Sequence, residues 1–130
     1  MITIIYAGIL GLIYVLLSGI VVTGRYQNKT AFGDGGNPDM TKRIRMHGNF
    51  AEYVPLGLLL LYLADMCQYA GWLVHLLGIM LLAGRILHAI AIHKCIFRFR
   101  VAGMVLTLLM ILIGSILLIW HFLMLQLTGF

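Results

Sequence analysis

The chain has 130 residues, of which 62% are hydrophobic and 10% charged, with a mean hydropathy of +1.04. A soluble domain of this size needs more polar residues than that to cover its surface, so the composition excludes one and indicates a single integral membrane domain. The formal net charge of +5 does not point to nucleic acid, because nearly all Lys and Arg gather in two short connections between apolar runs, as topology signals do, not in a continuous basic stripe.

Residues 2–22 form the first apolar run, uncharged throughout and long enough to cross about 30 Å of hydrocarbon. No positive segment precedes it and no small-x-small cleavage site follows it, so it is expected to be a retained span and not a signal peptide. Gly8, Gly11 and Gly19 offer close helix contact, though not at GxxxG spacing. In the connection over 25–42, Gly33-Asp34-Gly35-Gly36 predicts a turn. Asn37 and Pro38 then predict a helix start, as N-cap and first helical residue, with Asp39 favourable in the first turn.

The second span is predicted over 41–66. Pro55 inside it removes one backbone hydrogen bond and should kink the helix, and Asp65 should reach the far interface. A short connection at 67–71 makes spans two and three antiparallel neighbours. The third span, 72–93, contains His75, Arg85 and His88. A basic connection over 94–100 leads to the fourth span, 101–127, whose main polar groups are Thr107, Ser115, His121 and Gln126. Cys67 and Cys95 fall at opposite ends of the antiparallel pair, too far apart for a disulfide, and read as ordinary thiols. His75 and His121 are each expected to make a helix–helix hydrogen bond, and His47 to serve packing. The histidines lack metal-ligand spacing, so no metal site is inferred, and there is no P-loop, GxGxxG or nucleophile elbow.

Arg25, Lys29, Lys42, Arg43 and Arg45 flank the first connection, and Lys94, Arg98 and Arg100 the third. By the positive-inside rule both are cytoplasmic and both termini lie on the non-cytoplasmic side.

Within the second span Arg45, Asn49 and Glu52 fall within roughly 60° of one another on a helix of about 100° per residue. Charges at membrane depth are costly unless paired or wetted, and are usually functional. Glu52 lies about 10 Å deeper than Arg45, and Arg85 about 12 Å from the cytoplasmic end of span three. Equal depth predicts that Glu52 and Arg85 pair, directly or through a ligand; Asn49 and His88 match similarly at shallower depth. A buried pair of this kind either locks helices together or builds a site, and the depth argument fits both.

Arg45-x-His47-x-Asn49-x-x-Glu52, followed by Tyr53 and Pro55, resembles the second-helix signature of the membrane-associated proteins in eicosanoid and glutathione metabolism (the MAPEG family). Arg85-x-x-His88 resembles that family's third-helix motif in its prostaglandin E synthase form, and Asn37-Pro38-Asp39 is also similar. The resemblance covers essentially the whole chain. It implies an all-α four-helix transmembrane bundle assembled as a homotrimer, with glutathione in a cleft between subunits that opens to the cytoplasm. It further implies that Arg45, Asn49, Glu52, Tyr53, Arg85 and His88 contact glutathione or shape its pocket, and that an arginine at the start of the fourth helix faces the thiol. Arg100 fits that last position best, with Arg98 second; topology charges are the plainer explanation of both. Arg25 and Arg43 either gather the anionic ligand at the cleft mouth or set topology. In one respect the chain departs from the family pattern. Many catalytic members carry a tyrosine seven residues after the third-helix arginine, where this chain has Ile92.

Three functions follow as expectations. The first is a bacterial inner-membrane glutathione transferase or peroxidase acting on hydrophobic electrophiles or lipid hydroperoxides. The second is a non-catalytic lipid-binding scaffold of the same fold, like the lipoxygenase-activating member. The third is a small transporter using Glu52 as a proton-coupled carboxylate.

Overall fold

The computed structural model describes residues 1–128, arranged as four helices in chain order. They are α1 (Thr3–Gln27), α2 (Pro38–Met66), α3 (Gly71–Lys94) and α4 (Phe97–Thr128). Even α3, the shortest at 24 residues, extends about 36 Å at about 1.5 Å per residue, enough to cross a bilayer. α1, α3 and α4 are each long and apolar enough to span a membrane. α2 falls short of that hydropathy because its first half carries Lys42, Arg43, Arg45, Asn49 and Glu52. Like α3, it packs against all three of the other helices. α1 and α4 do not touch, so they flank the central α2–α3 pair on different sides.

The starts and stops follow from local chemistry. Asn37 Oδ1 accepts the Asp39 N–H at 2.9 Å, with Pro38 next to it, so α2 begins where the capping residues put it. Ahead of it Gly33, Gly35 and Gly36 all have positive φ, which makes the predicted turn. The Thr41 hydroxyl donates to Asp34 Oδ2 at 2.6 Å and the Gly36 N–H to Oδ1 at 2.9 Å. These two bonds, the hydroxyl first, hold the Asp34 carboxyl below its ordinary pKa.

α4 starts at Phe97 and not near 101, because Cys95 adopts a left-handed φ of 57° and reverses the chain at once. The Ile96 N–H then bonds back to Ala91 O at 3.0 Å. Arg98 and Arg100 therefore stand in the first turns of α4, not in a loop. α2 continues through Pro55 as one helix.

Leu10, Phe50, Leu61, Leu77, Leu81 and Met110 form the centre of the core. Outside it the surface is apolar as well: Leu12 is 70% exposed, Leu16 66% and Leu112 54%, the inverse of a soluble protein. At the end away from the basic connections several polar side chains bond across helices. Asp65 Oδ2 accepts both the N–H and the hydroxyl of Thr3, at 2.8 and 2.9 Å, capping α1 from α2. The Tyr6 hydroxyl lies 2.9 Å from His75 Nδ1, the interhelical bond expected of His75. His121 stacks near Tyr69 and makes no such bond among the described residues; the Tyr69 hydroxyl donates to Leu117 O instead, at 2.6 Å. His47 packs on α1, with Nε2 3.0 Å from Ser18 Oγ and its ring beside Tyr14.

The tightest crossing is between α3 and α4. A Cβ on Gly103 would lie 2.6 Å from the Gly84 carbonyl oxygen and 2.8 Å from the His88 nitrogen, so only glycine allows this approach. Gly8, Gly11 and Gly19, by contrast, have nothing within 4 Å of a would-be Cβ and make no close contact inside the subunit.

Candidate functional site: a polar cleft on α2, α3 and α4

Arg85 is where the close crossing has its effect. It is 1% exposed, and its guanidinium is held by groups of two neighbouring helices, α2 and α4. Nε donates to Thr107 Oγ1 at 3.0 Å, Nη1 to Asn49 O at 3.3 Å and Nη2 to Gly103 O at 3.4 Å. Its Cζ sits 5.0 Å from the centroid of the Tyr53 ring, a distance at which a cation is attracted to the aromatic face. Thr107 passes its own proton to Gly103 O at 2.9 Å, which frees its oxygen to receive Arg85. A buried cation is costly without partners; here neutral acceptors and a ring face replace the water.

The expected direct pair between Glu52 and Arg85 is therefore not formed: the ion pairs among the described residues are Asp39 with Lys42 and with Arg43. Arg85 reaches the α2 residues on either side of Glu52, the Asn49 carbonyl and the Tyr53 ring, but it is directed inward to α4 while Glu52 is exposed on the outside of the subunit. Thr107 was expected only as a polar group of the fourth span; it reaches Arg85 because Gly103, one turn earlier, lets α4 approach α3 closely.

Above this locked guanidinium an open cavity of about 450 Å³ is lined by Asn49, Glu52 and Tyr53 of α2, His88 of α3, and Phe97, Arg100, Val101 and Met104 of α4. A second cavity of about 320 Å³ adjoins it, with Arg45 and Lys42 on α2, Ile92 and Cys95 near the end of α3, and the same Phe97 and Arg100. Both volumes fall in the range of small-molecule sites. Of the sequence-predicted residues, Asn49, Glu52, Tyr53, His88 and Arg100 thus line the first cavity and Arg45 the second, and the two, sharing Phe97 and Arg100 as walls, make up one outer cleft. Arg85 lies beneath it and lines neither cavity. Arg98 is exposed and also lines neither. Phe97, Val101 and Met104 give the cleft an apolar wall that sequence reasoning missed: Phe97 because the start of α4 had been placed too late, Val101 and Met104 because nothing distinguishes them from the other apolar residues of the fourth span.

Arg25, near the end of α1, and Arg43, in the second turn of α2, line neither cavity. Arg25 donates to Ala31 O and Gly33 O at 2.9 and 3.2 Å, holding the 28–37 connection. Arg43 is turned toward α1, 3.4 Å from Ile20 O.

The cleft can attract anions through Arg45 and Arg100, accept a cationic or hydrogen-bonding group at Glu52, and hold an apolar group against α4. Its side chains come from three helices of a membrane-spanning bundle, which defines an integral membrane protein with a polar site at one end. The MAPEG family model matches residues 3–120, and the chain belongs to that family. It is 36% identical over 121 residues to the inner membrane protein YecN of Escherichia coli K12 and, equally, to that of Escherichia coli O6:H1. The match covers 93% of this chain and 92% of each relative. No solved structure matches the chain significantly.

Proposed function

We propose that this protein is a glutathione-dependent enzyme of the bacterial inner membrane, working as a homotrimer in which each cleft is closed by the neighbouring subunit. The observation that carries the reading is the exposed, unpaired charge triplet. Arg45 and Arg100 line one of two adjoining cavities and Glu52 and Arg100 the other, and none of the three makes an ion pair among the described residues. A carboxylate on the outside of a membrane helix is costly if it faces lipid. A second subunit over this face, with a zwitterionic peptide between, removes that cost.

Glutathione carries two carboxylates, an ammonium and a thiol. Arg45 grips a carboxylate, for which a guanidinium fork is suited, and Glu52 receives the ammonium, with Asn49 and His88 as hydrogen-bonding neighbours. Tyr53 forms the floor over Arg85, which acts as a positioning residue by fixing the Tyr53 ring and the Asn49 backbone. Arg100 stands at the junction of the two cavities and faces the sulfur. A free thiol has a pKa of about 8.5 and is only a few per cent ionised at pH 7, so a facing cation raises the reactive fraction. The thiolate then attacks an electrophilic carbon and displaces its leaving group. With a lipid hydroperoxide, two glutathiones give the disulfide, the alcohol and water. The apolar co-substrate enters from the bilayer along Phe97, Val101 and Met104. The basic end faces the cytoplasm and both termini the other side.

Purified protein should conjugate glutathione to a chlorinated nitroaromatic. Arg100→Ala should lower turnover roughly a hundredfold, the scale for removing one preorganised charge-stabilising group, while glutathione affinity changes little. Equal turnover by the two proteins would refute the assignment. A second reading, a lipid-binding scaffold without catalysis, is favoured by the apolar α4 wall and by Ile92 where a tyrosine serves in catalytic relatives. Binding of lipid but not glutathione in calorimetry would select it.

A further inference from the structure

We propose that the groove between α1 and α3 at the basic end binds an anionic phospholipid, headgroup at the rim and upper acyl chain on the floor. This site is separate from the cleft and does not depend on its function. At the far end α1 and α3 meet closely, with Tyr6 bonded to His75 and its ring where a Cβ on Gly78 would stand. Toward the basic end they part, and a cavity of about 430 Å³ opens between them over α2.

The floor is apolar and belongs to the hydrocarbon level: Leu17 and Ile20 from α1, Met46 from α2 and Ile90 from α3. The rim, about one turn further out on each helix, carries Lys42 and Arg43 from α2 and His93 and Lys94 from α3. Asp39 is the acidic group at this rim, and its carboxylate, 4.0 Å from Lys42 and 3.6 Å from Arg43, offsets part of that charge. Three permanent cations thus face one carboxylate, and Lys94 has no acidic partner among the described residues.

Basic pockets between transmembrane helices at the cytoplasmic surface suit anionic headgroups. A free anion would be satisfied by the rim alone. The apolar floor directly beneath the rim, open to the bilayer, fits a molecule with a phosphate at one end and a chain at the other. Only Lys42 is shared with the glutathione cleft, and Arg45, Glu52 and Arg100 lie on the other side of α2.

The test uses full-length protein stripped of lipid in a neutral detergent. It is titrated with a short-chain phosphatidylglycerol, the matching phosphatidylcholine and inorganic phosphate, reading bound adducts by native mass spectrometry and melting temperature in parallel. Phosphatidylglycerol should bind about tenfold or more tighter than phosphatidylcholine and raise the melting temperature. Lys94→Gln should weaken that binding about fivefold, the scale for one cation at an anionic surface, and Lys94→Arg should restore it. Arg43→Gln with Lys94→Gln should weaken it further; should that double variant fail to fold, the Lys94 pair decides alone. Indifference to headgroup charge, or wild-type affinity in Lys94→Gln, would overturn the proposal. Stabilisation by inorganic phosphate equal to that by phosphatidylglycerol would also overturn it, since the site would then serve a free anion.

Discussion

Arg85 and Glu52 sit at similar depth on neighbouring helices, yet the structure treats them oppositely. Arg85 is sealed in, and its three nitrogens reach Thr107, Asn49 O and Gly103 O. Glu52, with Arg45 and Arg100, stands on an outer face without an ionic partner among the described residues. One polar stretch therefore divides into a group that holds three helices together and groups left free for something else. The difference teaches that a motif's charged residues need not share a role, and that burial with complete hydrogen bonding is what separates a brace from a binding group.

The contrast is most severely strained by removing the brace. Arg85→Leu deletes every bond from α3 to Thr107 and to the Asn49 and Gly103 carbonyls, and leaves Thr107 buried with fewer partners. Stability should fall by about 2–5 kcal/mol, as for other large buried side chains that lose their fit, read as a lower midpoint of unfolding in detergent. Arg85→Lys should not restore it, since an ammonium cannot span the same acceptors. A smaller effect is expected from the crossing that confines Arg85. Gly103→Ala places a methyl 2.6 Å from Gly84 O, against backbone that cannot swing aside. The expected loss is about 1–3 kcal/mol, the usual scale of overpacking, checked by the same unfolding measurement. An unchanged midpoint would mean that α3 and α4 are less closely packed than described.

Much of this was legible beforehand, and the limits have physical causes. The capping pattern at Asn37-Pro38-Asp39 set the start of α2 because it is purely local chemistry. The one-face grouping of Arg45, Asn49 and Glu52 followed from helix period, and all three do line the cleft. Depth, however, fixes one coordinate of a side chain and leaves its direction open, which is why the Glu52–Arg85 pair was expected and is not found. Direction depends on which partner approaches, and α4 is so uniformly apolar that its contact face carries almost no sequence signal. Met104, and the role of Thr107 as partner of Arg85, were missed for that reason. The Asp65 cap on Thr3 was missed because it joins residues 62 apart in sequence.

The central claim is that the free charges of the cleft exist to hold glutathione, and calorimetric titration of glutathione into wild type and Glu52→Gln tests it most directly. Glu52 is exposed and makes no ion pair among the described residues, so its loss should alter stability by no more than about 0.5 kcal/mol. Glutathione binding should weaken by about 1.5–3 kcal/mol, the cost of one charged hydrogen bond, or roughly tenfold and more. Wild-type affinity in Glu52→Gln, or no heat of binding in either protein, would contradict the account.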